Sequence, residues 1–161
     1  YVIADWGLPA FKAKVEEYYG GPLDDPHPAD VTDTDDHLGW REQGDGKLYL
    51  GLAVPDGRIA DFEGGPQWKS ALREILAKYG MDVRVTPNAG ILLCDVDPAA
   101  KPEINAILRR HKIKLAEELS LLRRYAMACV SLPTCGLAVA ESERVIHDVI
   151  HEVEARIAKY G

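Results

Sequence analysis

No stretch of this 161-residue chain stays apolar for the about 18 residues that a membrane-spanning helix needs. Its start also lacks a basic segment followed by an apolar one, so no secretory signal is visible. Cysteine is scarce. Three is an odd number, which does not make a disulfide framework and points to a reducing, cytoplasmic setting. Positive charge is in the minority, with 19 Lys and Arg against 26 Asp and Glu. The net charge of −7 argues against general binding to nucleic acid or to an anionic membrane. Motifs for several common chemistries are missing as well. Gly44-Asp45-Gly46-Lys47 has the wrong spacing for a phosphate loop and lies between two strand patterns. No serine stands in a nucleophile elbow with a plausible base. The acidic run from Asp33 would need glycine and a carboxylate at its sixth and twelfth positions to bind calcium, but these are Leu38 and Gly44.

What the chain does have is a core-forming composition, 47% hydrophobic and 28% charged, and room for one domain or one and a half. Residues 8 to 19 carry Leu8, Phe11, Val15 and Tyr18 on one helical stripe, closed by Gly20-Gly21-Pro22. The segment from Leu23 to Asp36 is rich in aspartate and proline and reads as an exposed acidic linker. From His37 the period changes to two. Leu38 to Gln43, a Gly44-Asp45-Gly46 turn and Lys47 to Val54 predict a β-hairpin. Trp68, Leu72, Ile75, Leu76 and Tyr79 predict a helix closed by Gly80. Met81 to Thr86 alternates, with Met81, Val83 and Val85 expected to face in, and Ile91 to Val96 is a nearly continuous apolar strand. Pro102 to His111 is a further helix on the stripe Ile104, Ile107 and Leu108. The order ββαββα predicts an α+β layer, an antiparallel-rich sheet with helices on one face. Beyond it come a short helix pattern around Leu115 to Leu122 and a last helix from about Val139 to Tyr160. Tyr1 is not methionine, so the expectation is a piece cut from a longer chain.

The candidates for chemistry are few. Cys94 sits inside an apolar strand and reads as a small core residue. His147 and His151 lie one helical turn apart, but HDVIH lacks the glutamate of a zinc-protease motif and reads as structural or solvated. Arg109, Arg110, His111, Lys112 and Lys114 form a basic cluster that reads as a solvated helix end favoured by the helix dipole. That leaves Cys129 and Cys135, separated by five residues that include Pro133, with a helical pattern directly after the second. Thiolates bind iron–sulfur clusters, and a helix N-terminus beside Cys135 would favour anionic sulfur. Two thiolates alone are too few.

The wording of this segment adds to its spacing. MACVSLPTCGLAVAESER resembles the first cysteine pair of the sirohaem-containing sulfite and nitrite reductases, in which an ACxxxPxC-x-LAxxExER string carries two of the four ligands to a [4Fe–4S] cluster. HLGWREQGDGKLYLGLAVPDGRI and DVRVTPNAGILLCDV look like the second ferredoxin-like half domain of that family, and YVIADWGLPAFKAKVEEYYGG looks like the helix joining its halves. The GWxEQGDGxLY string is similar to the ferredoxin-dependent, plant-type branch. The resemblance implies three parts: a linking helix and acidic linker over 1–36, the half domain over 37–113, and the beginning of a cluster and sirohaem domain over 114–161. It implies a fragment of an assimilatory sulfite reductase that reduces sulfite to sulfide with six electrons from ferredoxin. Cys129 and Cys135 match the first two cluster ligands. Cys94 matches none, and no catalytic residue carries over. The second cysteine pair and the first half repeat are absent, so the fragment alone is expected to be inactive and to bind neither cofactor. The unpaired half domain is expected to form a homodimer or to loosen around residues 115–140. The matching fragment of a nitrite reductase and a stand-alone ferredoxin-like module without redox role are the alternatives.

Overall fold

The sheet is built from two antiparallel hairpins whose second strands pair with each other. The computed structural model describes residues 1–25 and 35–160. Its strands are β1 (Gly39–Glu42), β2 (Leu48–Ala53), β3 (Val83–Val85) and β4 (Gly90–Val96), in the antiparallel order β1-β2-β4-β3. The helices α3 (Trp68–Tyr79) and α4 (Lys101–Arg110) follow the hairpins, which gives the expected ββαββα order. Helices α5 (Leu121–Tyr125) and α6 (Glu143–Tyr160) come after them; α1 (Val2–Trp6) and α2 (Leu8–Tyr19) precede the sheet.

The core sits between one sheet face and α3 and α4. Trp68, Ala71, Leu72 and Ile75 repeat at helical spacing and are buried, as are Ile104, Ile107 and Leu108 on α4. They pack on Leu50, Leu52, Ile91, Leu93 and Val96 of the two central strands. Leu93 and Val96 are three residues apart and still share that face, because a bulge intervenes. Leu50 pairs with Leu93, Leu48 pairs with Val96, and Asp95 takes a φ of 58° between them. The Gln43 side chain fixes the bulge: its Nε2 donates to Asp95 Oδ1 at 2.7 Å, and Asp95 N–H donates to Gln43 Oε1 at 3.0 Å.

The other face is covered at its centre by backbone. Residues 37 and 38 cross directly over Gly51, whose absent Cβ would lie 1.9 Å from the His37 carbonyl oxygen. Strand β3 departs from expectation. Its register places Val83 and Val85 opposite Leu93 and Ile91, on the core side, yet Val85 is 83% exposed. It is an edge strand, and the helices cover the columns of β2 and β4 instead.

The chain divides into two units, residues 1–34 and 35–161. Within the first, Gly7 (φ 78°) separates α1 from α2, and Gly20 in the left-handed region ends α2 at the expected place. No residue of either helix is buried. Residues 26–34 of the acidic linker lie outside the described residues.

Candidate functional site

The cysteine segment lies between α5 and α6 and holds its shape through its own backbone. Glu143 N–H donates to the Cys129 carbonyl at 3.1 Å, Leu132 N–H to Ala140 O at 3.4 Å, and Cys135 N–H to Ser131 O at 2.8 Å. Ser131 is buried, and its hydroxyl also donates to Ala140 O. These bonds use the stretch after Cys135 to close a loop, so α6 begins at Glu143 rather than near Val139. No helix N-terminus adjoins Cys135. Instead the Cys129 carbonyl takes up an amide at the start of α6, one of the donors a helix leaves unpaired. Cys129 is exposed, Cys135 is half-buried and both are free thiols.

The loop is tied to the half domain by the turn Pro55–Arg58, which follows β2. Arg58 grips the Glu143 carboxylate with two nitrogens; Nη2 donates to Oε2 at 2.6 Å, and Nε donates to Oε1. That bond holds the Glu143 carboxyl below the usual range for glutamate. One helical turn on, His147 Nε2 lies 2.8 Å from Oδ2 of Asp56, whose side chain is almost wholly enclosed. Within the segment, Arg123 of α5 donates to Glu154 of α6 at 2.7 and 3.0 Å. The loop and the half domain share a groove of about 540 Å³, lined among others by Phe62, Trp68 and Arg58 and by Val130, Leu132 and Thr134.

Two thiols, one open to solvent, are of the kind that bind an iron–sulfur cluster once deprotonated. A cluster takes four such ligands, and among the described residues no group of three or more His, Cys, Asp or Glu converges. The chain would therefore supply half of a donor set. The two histidines of α6 do not form a metal face, since His147 is engaged by Asp56. Four of the five residues of the basic cluster are spent on the fold: Arg110 and His111 pair with Glu74, Arg109 lies 3.7 Å from Glu118, and Lys112 donates to Gly64 O.

Residues 41–111 match the family description "Nitrite/Sulfite reductase ferredoxin-like half domain". The whole chain is 42% identical to a "Sulfite reductase [NADPH] hemoprotein beta-component" of Methylobacterium sp. (strain 4-46), and covers 26% of it. It is 39% identical to a "Sulfite reductase [ferredoxin]" of Synechococcus elongatus over 161 residues, again 26% of that protein. The chain carries the half domain of the nitrite/sulfite reductase family. The solved structure of the Mycobacterium tuberculosis NirA protein aligns with 99% of the chain and 28% of its own length, at a TM-score of 0.66 and 28% identity. The chain thus spans about a quarter of the length of the curated relatives it matches. Both NADPH and ferredoxin appear in their names, so the names do not single out the ferredoxin branch.

Within this family half domain Cys94 behaves as a core thiol. It is 5% exposed on β4, and burial pushes its pKa up. Alkylation of the native chain is expected to label Cys129 first, Cys135 more slowly, and Cys94 at least roughly a hundredfold more slowly than Cys129. Peptide mass mapping over time reads this order, and early labelling of Cys94 would refute it. Arg58, Asp56 and Glu143 were not among the sequence candidates. Arg58 and Glu143 are 85 positions apart, and no periodicity links them.

Proposed function

We propose that this chain is the part of a sulfite-reducing enzyme that carries two of the four thiolate ligands, Cys129 and Cys135, to a [4Fe–4S] cluster. The half domain over residues 41–111 serves as the frame that holds the cysteine loop. The observation that carries the reading is the free, outward-facing Cys129 on a loop closed by Glu143, in a chain whose relatives are named sulfite reductases. The cluster, coupled to a sirohaem, supplies single-electron transfer for the six-electron conversion of sulfite to sulfide and water. The chain's own residues do simpler things. Cys129 and Cys135 offer soft anionic donors. The Cys129 carbonyl anchors its backbone to α6, and Ser131 and Ala140 close the loop behind it.

On this reading the setting is cytoplasmic, ferredoxin is the electron donor, and the missing half repeat packs beside the sheet. In its absence the exposed core-side edge of β3 favours self-association. The chain alone, with half of the thiolates, is inactive and assembles no stable cluster.

The test uses the polypeptide extended to the length of its relatives. Iron content and visible spectrum are measured for the unaltered protein and for Cys129→Ser, Cys135→Ser and Cys94→Ser. The first two variants should lose the cluster iron, whereas Cys94→Ser should keep it. Full iron in Cys129→Ser and Cys135→Ser would discard the assignment.

A further inference from the structure

Glu143 is held from two sides. Its side chain, 12% exposed, is gripped by Arg58, and its backbone N–H grips Cys129. The same turn, Pro55–Arg58, also holds His147 through Asp56, so both ties land on the first two turns of α6. Ile150, further along, is the buried residue of α6, whereas the start of the helix borders a groove of about 540 Å³ lined by Val130, Leu132, Phe62 and Trp68. A half-exposed ion pair adds little to global stability, but a two-pronged guanidinium–carboxylate contact fixes direction.

We propose that the turn Pro55–Arg58 is a latch, in which Arg58 and Asp56 are positioning residues that set Cys129 through Glu143 and His147. The latch is a property of this chain; its importance for a cluster rests on Cys129 being a ligand. Arg58 and Asp56 touch no cofactor on this account. They determine where the first thiolate stands relative to the half domain.

Native-state hydrogen exchange on the 161-residue chain tests the latch directly, through the Glu143 amide that bonds Cys129. In Arg58→Ala the protection of this amide should fall roughly tenfold or more, while the core amides of Leu50 and Leu93 stay as they were. Arg58→Lys keeps the charge but not the fork and should fall between the two. The double exchange Arg58→Glu with Glu143→Arg should recover most of the protection that either single change loses. In the extended, iron-loaded polypeptide, Arg58→Ala should retain its iron and shift the electron paramagnetic resonance signal of the reduced cluster.

Unchanged Glu143 protection in Arg58→Ala, or equal loss at Leu50 and Leu93, overturns the latch. The ligand assignment fails separately. If Arg58→Ala loosens Glu143 while Cys129→Ser keeps its full iron, the latch stands and the assignment of Cys129 falls.

Discussion

Gly51→Ala should lower the stability of the 35–161 unit by about 3 kcal/mol or more, as expected when a group is forced into filled space. Gly51 needs no unusual backbone angle; what it needs is room. A Cβ there would lie 1.9 Å from the His37 carbonyl oxygen, 2.8 Å from its carbon and 2.9 Å from Leu38 Cα. All three are backbone atoms, which cannot swing aside as a side chain does. The segment at 37–38, just before β1, would have to lift from the sheet. That would strain the adjacent pairing of Gly39 with Gly51 and the bond from Tyr125 to Asp36 at 2.9 Å. Urea titration followed by circular dichroism reads the loss. Gly136→Ala, in the same unit, is the control, because a Cβ there meets nothing within 4 Å, and its effect should stay within about 0.5 kcal/mol. Equal midpoints for Gly51→Ala and the unaltered chain would show that the crossing segment is not where the structure puts it.

Leu93→Ala is the second large effect, about 2–5 kcal/mol, the range for emptying a fully buried leucine site. Leu93 has no exposed surface and lies opposite Leu50 on one side and Val83 on the other. Its neighbours in the core, among them Ile75 and Ile104, are also fully buried, so little can move in to refill the void. A whole domain is stable by only about 5–15 kcal/mol, so this one truncation removes a large share. Val85→Ala, on the same face at the exposed edge, should change stability by no more than about 0.5 kcal/mol. If the two substitutions cost the same, the core would not be centred on β2 and β4.

The half domain was readable because its signals are local. Trp68, Leu72 and Ile75 repeat at helical spacing, Leu50 and Leu52 alternate, and Gly80 stops α3 where its left-handed cap falls. The bulge was hidden because the apolar run from Ile91 to Val96 reads the same with or without it. Only the distant Gln43 reveals which of its residues is extruded. The start of α6 was misplaced because Val139 and Ala140 suit a helix, while the Ala140 carbonyl is spent on Leu132 and Ser131. Ser120 divides the short helix pattern by accepting the Arg123 N–H. The reading of Cys129 and Cys135 as cluster ligands comes from the wording of their segment rather than from its spacing, and it stands as a proposal. The turn that holds it was not legible, because ion pairs across 85 positions leave no periodic trace.

That separation also sets an order in time. Synthesis at about 5–20 residues per second brings Glu143 out roughly 4–17 s after Arg58. By then residues 41–111 have all emerged, and the half domain can close around Leu50 and Leu93 before the cysteine loop exists. The turn at Pro55–Arg58 is then a finished receptor waiting for the nascent α6, and the thiols are delivered to a frame already built.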